Sequence, residues 1–359
     1  MIKTQIDHDS AWTSASVAGK STFERTLSTS EVAAFESAVR KLRDRHAELE
    51  SLERTDFDVQ DAEQLITDVR TALDEGRGLV IVRGFPVQSW PAEDIELMFW
   101  GLGVHLGEPA SQSVMGDRLG HVVDVSDVDV NARAYRSQRE LSLHNDFGNY
   151  HAMLSLSLPK TGGESRYASA VSVHNVMLRE SPHLLESLYR GYSLYRLGEQ
   201  GPDELPYTPH RVPVFTETEG LLSSRYMRAF IEAAATLRAE PLEDVDVAAL
   251  NAFDEIAHRD EVMVEFTLEP GEAAFYNNLF VLHARAAFED DKPDVRRHLL
   301  RLWLYAEDSR PVVPEIEVFD APGIPPQPGQ SPSGEGELLR NLGATGFSKA
   351  ALTEGRKDE

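Results

Sequence analysis

The chain has 359 residues, 41% of them hydrophobic, enough for one large domain or two ordinary ones with a core that needs no disulfide or metal staple. Its 35 Lys and Arg against 60 Asp and Glu leave a formal net charge of −25 with histidine neutral, a surface that repels nucleic-acid phosphates and anionic lipid headgroups. Cysteine is absent, which excludes disulfides, thiolate zinc sites, iron–sulfur clusters and cysteine nucleophiles, and leaves His, Asp and Glu to hold any metal.

Residues 1–20 form a polar tail without the apolar stretch of a secretion signal, and no apolar run approaches the ~20 residues that span a bilayer, so the expectation is a cytoplasmic protein. Ser28 and Glu31 have the spacing of a capping box, and Val32, Phe35, Val39 and Leu42 recur at helical spacing, which predicts an amphipathic helix over Val32 to Leu52. A second helix is predicted over Asp61 to Glu75, followed by a buried strand over Leu79 to Phe85, and a third helix opens at Trp90-Pro91 and runs to about Leu106. From His121 onward short β-rich runs dominate: His121 to Val125, Tyr150 to Leu158, Glu164 to Ala168, Val262 to Leu268 and Glu272 to Tyr276. Helical stretches interrupt them at Ala170 to Arg190, Tyr226 to Arg238 and Val247 to Arg259. The pattern predicts an antiparallel β core with helical decoration, one domain over residues 21–310, and a Pro-rich extension over 311–359 that runs extended on the surface.

Without cysteine, the informative search is for histidine and carboxylate at metal-ligand spacing. His-x-Asp/Glu occurs at His46/Glu48, His144/Asp146 and His258/Asp260, and with this composition roughly two such triplets arise by chance. Side chains at i and i+2 share one side only in extended backbone. His46 and His258 sit in helical, charge-rich patterns, whereas His144 precedes a Gly-containing turn into the strand Tyr150 to Leu158, so the pair His144/Asp146 is the candidate. His283, ending the apolar run that starts at Asn277, is the best third ligand, with a core histidine as the plain alternative. Two imidazoles and one carboxylate are the facial set that non-haem Fe(II) uses for a chelating co-substrate and O2. Downstream, Arg297 and Arg301 share a face of a strand-like run, and a desolvated guanidinium suits a dicarboxylate as well as it suits an internal Asp or Glu.

These residues resemble the TauD/TfdA family of Fe(II)- and 2-oxoglutarate-dependent dioxygenases, the group of taurine dioxygenase and the clavaminate-synthase-like enzymes. The similarity runs from about Leu79 to Leu304 and rests on Leu143-His-Asn-Asp146, Pro159-Lys-Thr-Gly-Gly-Glu-Ser165, Pro270-Gly-Glu272, Asn278-Leu-Phe-Val-Leu-His-Ala-Arg285 and Arg296-Arg-His-Leu-Leu-Arg-Leu-Trp303, in family order. The resemblance implies a double-stranded β-helix, or jelly roll, flanked by helices, an iron triad of His144, Asp146 and His283, and a 2-oxoglutarate carboxylate held by Ser165 and Arg297. Arg296 is the neighbouring register for that arginine, and Arg301 matches the arginine that meets an acidic group of the substrate. Arg225 and Tyr226 are further candidates for substrate contact, with a polar helix start as the alternative. The segment Asp127 to Leu141 is long and polar and reads as a lid.

The resemblance further implies oxidation of an unactivated C–H bond of a small amino-acid-like or carboxylate-bearing metabolite, with O2 consumed and succinate and CO2 released. Hydroxylation is the default outcome, and desaturation or cyclisation use the same triad. The partners are then a small-molecule substrate and, for the protein, a homo-oligomer or none, with no nucleic acid and no membrane. A non-catalytic jelly-roll ligand-binding protein and a metal-dependent hydrolase stand as alternatives.

Overall fold

Ser28 caps the first helix as its spacing predicts: its hydroxyl accepts from the Glu31 amide, and the Glu31 carboxylate accepts from the Ser28 amide at 2.7 Å. The computed structural model describes residues 1–126, 134–291 and 296–327. Three helices, Thr29–Asp44, Glu63–Asp74 and Ala92–Leu106, form a layer on one side of a seven-stranded sheet. The sheet runs in the order Glu24–Thr26, Leu79–Arg83, Glu272–Asn277, Tyr150–Ser157, His298–Tyr305, and both Glu108–Pro109 and Gly120–Val123 pair with this last strand. All its ladders are antiparallel except the one between Glu24–Thr26 and Leu79–Arg83.

A four-stranded antiparallel sheet faces the large one, in the order Val264–Phe266, Ser165–Ser169, Val281–Arg285, Leu141–His144. Strand alternation then sorts the core. Tyr150, Ala152, Leu154, Leu300, Leu302 and Leu304 pack toward the helices. Tyr276, Leu299 and Trp303 pack toward Leu143, Tyr167 and Val281 of the smaller sheet. The two open sheets with their helical layer are the mainly β jelly-roll core with flanking helices that the sequence suggests.

Several boundaries differ for physical reasons. The first helix ends at Asp44, and His46 takes a φ of 49°, so His46 and Glu48 lie past the helix rather than inside it. The helix expected over Ala170 to Arg190 is two, Ala170–Glu180 and Leu185–Arg190, because Ser181 precedes Pro182 and leaves the helical region at φ −145°, ψ 53°. The third interrupting helix is Asp244–Ala257, and His258 caps its end with Nδ1 2.8 Å from the Asp254 carbonyl.

Residues 1–20 lie against the body of the domain: Trp12 is buried and donates to the Arg77 carbonyl at 2.8 Å, while the Ser172 hydroxyl donates to the Trp12 carbonyl at 2.6 Å. The described part of the Pro-rich extension does not stay on the surface, since Ile316, Val318, Phe319 and Ile324 are all buried. Its remainder, residues 328–359, lies outside the described residues, as do residues 127–133 of the expected lid. Among the described residues no helix is long and apolar enough to cross a membrane.

Candidate metal centre and active site

His144 ends the strand Leu141–His144, and its Nδ1 lies 2.7 Å from the Ser142 carbonyl. That contact requires the proton on Nδ1 and leaves the Nε2 lone pair free, 3.6 Å from Asp146 Oδ1. His283 sits directly opposite His144 on the adjacent strand, with Nε2 3.7 Å from Asp146 Oδ2. One ligand atom from each of the three residues falls within 4.8 Å of the others, and this is the one such cluster of His and carboxylates found among the described residues.

The turn that presents Asp146 is held by amide side chains. Asn145 donates to the carbonyls of Asn278 at 2.8 Å and Val281 at 3.2 Å, and accepts from the Tyr226 amide at 3.0 Å. Asn278 accepts from the Asp146 amide at 3.1 Å and donates to the carbonyls of Asp146 at 2.8 Å and Gly148 at 3.1 Å. The Arg225 guanidinium, fully buried, donates to the same Asp146 carbonyl and to that of Ile316 at 3.4 Å. Tyr226 is also buried, its ring against Phe253 at 3.9 Å and its hydroxyl donating to Asp254 at 2.6 Å.

Burial by itself would raise the Asp146 carboxyl, but the imidazoles of His144 and His283 outweigh it and hold Asp146 well below the ordinary carboxylate range. Burial, reinforced by the neighbouring His144, pulls His283 down to about 4. For His144 burial is again the largest influence and acts downward, yet the ionised Asp146 wins and raises it. The centre therefore favours a positive charge between imidazole and carboxylate. Two Nε2 atoms and a carboxylate, converging from a strand pair and the turn beside it, fit the donor preference of non-haem Fe(II).

Two cations lie in the same interior. Arg297 is buried, its guanidinium 5.4 Å from the Phe288 ring centre and Nη2 3.5 Å from the Gly163 carbonyl. Burial lowers it to about 10, so it stays charged at neutral pH. Gly163 has φ +79°, and a Cβ there would stand 3.0 Å from Arg297 Nε, which is why the Gly-Gly motif passes this guanidinium. Ser165 is buried on the strand that follows, two residues before the buried Tyr167. Arg301 lies deeper, Nε donating to Gln112 at 2.6 Å, Nη1 3.8 Å from Asp146 Oδ2, and the guanidinium between the rings of Tyr135 at 4.2 Å and Trp303 at 4.8 Å. Its Nη2 is buried with no hydrogen-bond partner among the described atoms. Arg285, two residues beyond His283, donates to the Ser137 carbonyl at 2.8 Å and so ties residues 134–141 to the site.

Sequence reasoning passed over His151, Asn145, Asn278, Gln112 and Tyr276. For His151 a signal existed: in Tyr150–Ser157 the residues Tyr150, Ala152 and Leu154 take one face, so a histidine at the second position falls on the other face, toward the ligands. Asn145 and Asn278 had no such pattern, because their partners are backbone groups distant in sequence.

The sequence model of the family described as "Taurine catabolism dioxygenase TauD, TfdA family" matches residues 39–303. The chain belongs to that family. FR-33289 synthase of Streptomyces rubellomurinus is 30% identical over 317 residues, 86% of this chain and 93% of the relative. Taurine hydroxylase-like protein SAT17 of Stachybotrys chartarum is 26% identical, over 83% of this chain and 79% of its own length. Among solved structures, asparagine oxygenase in complex with Fe(II), 3-hydroxyasparagine and succinate has a TM-score of 0.61 at 18% identity, covering 79% of this chain and 93% of that one. The non-haem iron oxygenase OrfP with Fe and alpha-ketoglutaric acid has a TM-score of 0.58 at 14% identity, covering 79% of this chain and 94% of that one. At such identities these two likenesses carry the fold. This TauD/TfdA member is an enzyme, an Fe(II)- and 2-oxoglutarate-dependent oxygenase, and its His–Asp–His cluster fits the iron that chemistry needs.

Proposed function

We propose that this oxygenase hydroxylates an unactivated C–H bond of a small amino-acid-like or carboxylate-bearing metabolite. His144, Asp146 and His283 hold Fe(II), Ser165 and Arg297 hold the distal carboxylate of 2-oxoglutarate, and Arg301 anchors the acidic group of the substrate. The observation that carries the substrate class is Arg301: a buried guanidinium, 3.8 Å from the metal-site carboxylate, with one nitrogen without an acceptor among the described residues. A buried donor without a partner is costly, so the unused edge of Arg301 favours a ligand oxygen. The asparagine oxygenase and OrfP complexes, which hold hydroxylated amino acids, support the same class.

Iron, 2-oxoglutarate and O2 supply the oxidising chemistry when bound, with succinate and CO2 as co-products. The chain supplies position and dryness. His144 and His283 would hold the metal through Nε2, and Asp146 would give it a carboxylate from a turn whose backbone the Asn145 and Asn278 amides hold. Arg297, charged and desolvated beside Phe288, selects a dicarboxylate over a monocarboxylate keto acid. Arg225 and Tyr226, each with a protein partner, support the Asp146 turn rather than reach outward. A cytoplasmic enzyme acting on a soluble metabolite is the setting this reading implies.

The test is anaerobic addition of Fe(II) and 2-oxoglutarate, expected to give a weak visible charge-transfer band, followed by O2 and a panel of amino acids and related acids scored for succinate. Product mass then reads the outcome: one added oxygen for hydroxylation, two lost hydrogens for desaturation or cyclisation. Asp146→Ala should abolish both signals. Zinc-supported turnover without 2-oxoglutarate would replace this reading with a hydrolase.

A further inference from the structure

Beside the triad stands a third imidazole that the iron chemistry does not use. His151 is fully buried, its ring stacked on Trp303 with centroids 5.7 Å apart and planes 24° from parallel. Its strand places it between Tyr276 on one neighbour and Trp303 on the other, in direct register with both. Nδ1 lies 2.7 Å from the Tyr276 hydroxyl, and Nε2, buried with no hydrogen-bond partner among the described atoms, lies 3.5 Å from Asp146 Oδ2. His151 does not belong to the cluster formed by His144, Asp146 and His283, so it meets the carboxylate from outside the ligand group.

The tautomer follows from what each nitrogen faces. A neutral imidazole has one N–H and one lone pair. His151, unlike His144, is not one of the assigned metal ligands, so with the proton on Nδ1 a bare Nε2 lone pair would face a carboxylate oxygen with no cation assigned between them. With the proton on Nε2, the Tyr276 hydroxyl donates to Nδ1 and the Nε2–H lies on the carboxylate side, 3.5 Å from Asp146 Oδ2 and short of a formed hydrogen bond. The rings of Trp303 and Tyr276 flank the imidazole at 5.7 and 5.2 Å between centroids.

We propose that Tyr276 and His151 form a positioning relay: the Tyr276 O–H donates to His151 Nδ1 and so keeps the proton on Nε2, which faces Asp146 Oδ2 at 3.5 Å and closes into a hydrogen bond that orients the carboxylate when the ligands hold a metal. The relay rests on the assignment of His144, Asp146 and His283 as metal ligands, and His151 acts through Asp146. A hydrogen-bonded partner behind a metal ligand fixes its direction and raises affinity, and its loss costs roughly 10–100-fold.

The experiment is anaerobic Co(II) titration of the full chain without co-substrate, read as a dissociation constant and as the visible d–d spectrum. His151→Phe, which keeps a flat ring but no donor, should weaken Co(II) at least ~10-fold and shift the d–d bands. His151→Gln, which retains an N–H donor, should recover part of the affinity, and Tyr276→Phe, which frees the tautomer, should weaken binding several-fold. Melting of the metal-free proteins separates folding from ligation: a purely structural role moves the melting temperature without the spectral shift. If His151→Phe fails to fold, Tyr276→Phe decides, and wild-type affinity and spectrum in that variant overturn the relay. Wild-type Co(II) binding in a folded His151→Phe overturns it as well, whereas failure of the wild-type chain to bind Co(II) defeats the underlying ligand assignment instead.

Discussion

His144 and His283 are cross-strand partners in one antiparallel ladder, their ring centres 4.2 Å apart. A β ladder thus fixes two of the three ligands with the backbone, before any metal contributes, and only Asp146 rides on a turn. Removing either imidazole destroys the same unit. His144→Ala and His283→Ala should each reduce 2-oxoglutarate turnover to background, and the double variant should be no worse than either single one, because residues acting as a unit are strongly non-additive. Succinate release measures it, and additive partial losses in the two single variants would show that the ligands act separately.

Arg297 should govern co-substrate affinity. Arg297→Ala is expected to raise the KM for 2-oxoglutarate by ~30-fold or more, the effect of losing a buried charge-assisted pair of about 2 kcal/mol or above. Arg297→Lys should recover little, since an ammonium cannot repeat the planar fork. Arg296 meets this region through its carbonyl, which accepts from Ser157 at 2.6 Å, so Arg296→Ala should leave that KM close to wild type. A large effect at Arg296 and none at Arg297 would mean that the register is shifted by one.

Asn278 is the brace of the Asp146 turn. Asn278→Ala strands the Asp146 amide and buried carbonyls, so urea unfolding should show a loss of about 2–4 kcal/mol, with weaker Co(II) binding in the folded fraction. Unchanged stability would show that water replaces the amide without cost.

Acid sensitivity should come in part from His174. Its side chain is buried on the helix Ala170–Glu180, 3.1 Å from the Tyr189 hydroxyl, and burial lowers it to about 4 from an ordinary 6.5. The unfolded chain then binds the proton first, so the stability this histidine contributes is full above pH 6.5 and is lost as pH falls toward 4. The ceiling is about 3 kcal/mol. His174→Gln should flatten the urea midpoint between pH 7 and 5, and an unaltered slope would refute the assignment.

The triad was legible in the sequence because extended backbone around His144 is the one context in which a His-x-Asp pair shares a side, and the family-like spacing supplied His283. Chain order could not reveal that these two histidines face each other across a ladder, since register between distant strands is set by packing of both sheets. The helix break at Ser181 was written in Pro182 and was overlooked in favour of periodicity. Arg225 and Tyr226 show a different limit: residue type suggested outward contact, whereas the fold turns both side chains onto Asp146 and Asp254. Buried Trp12 and Ile316 were missed because isolated apolar residues in polar, Pro-rich stretches carry no period.

The Arg225 side chain spans from the carbonyl of Asp146 to that of Ile316, so a stretch near the end of the described chain braces a residue at its centre. A chain cut before residue 316 would therefore keep His144, Asp146 and His283 yet lose one of the two carbonyls that anchor the guanidinium behind the Asp146 turn.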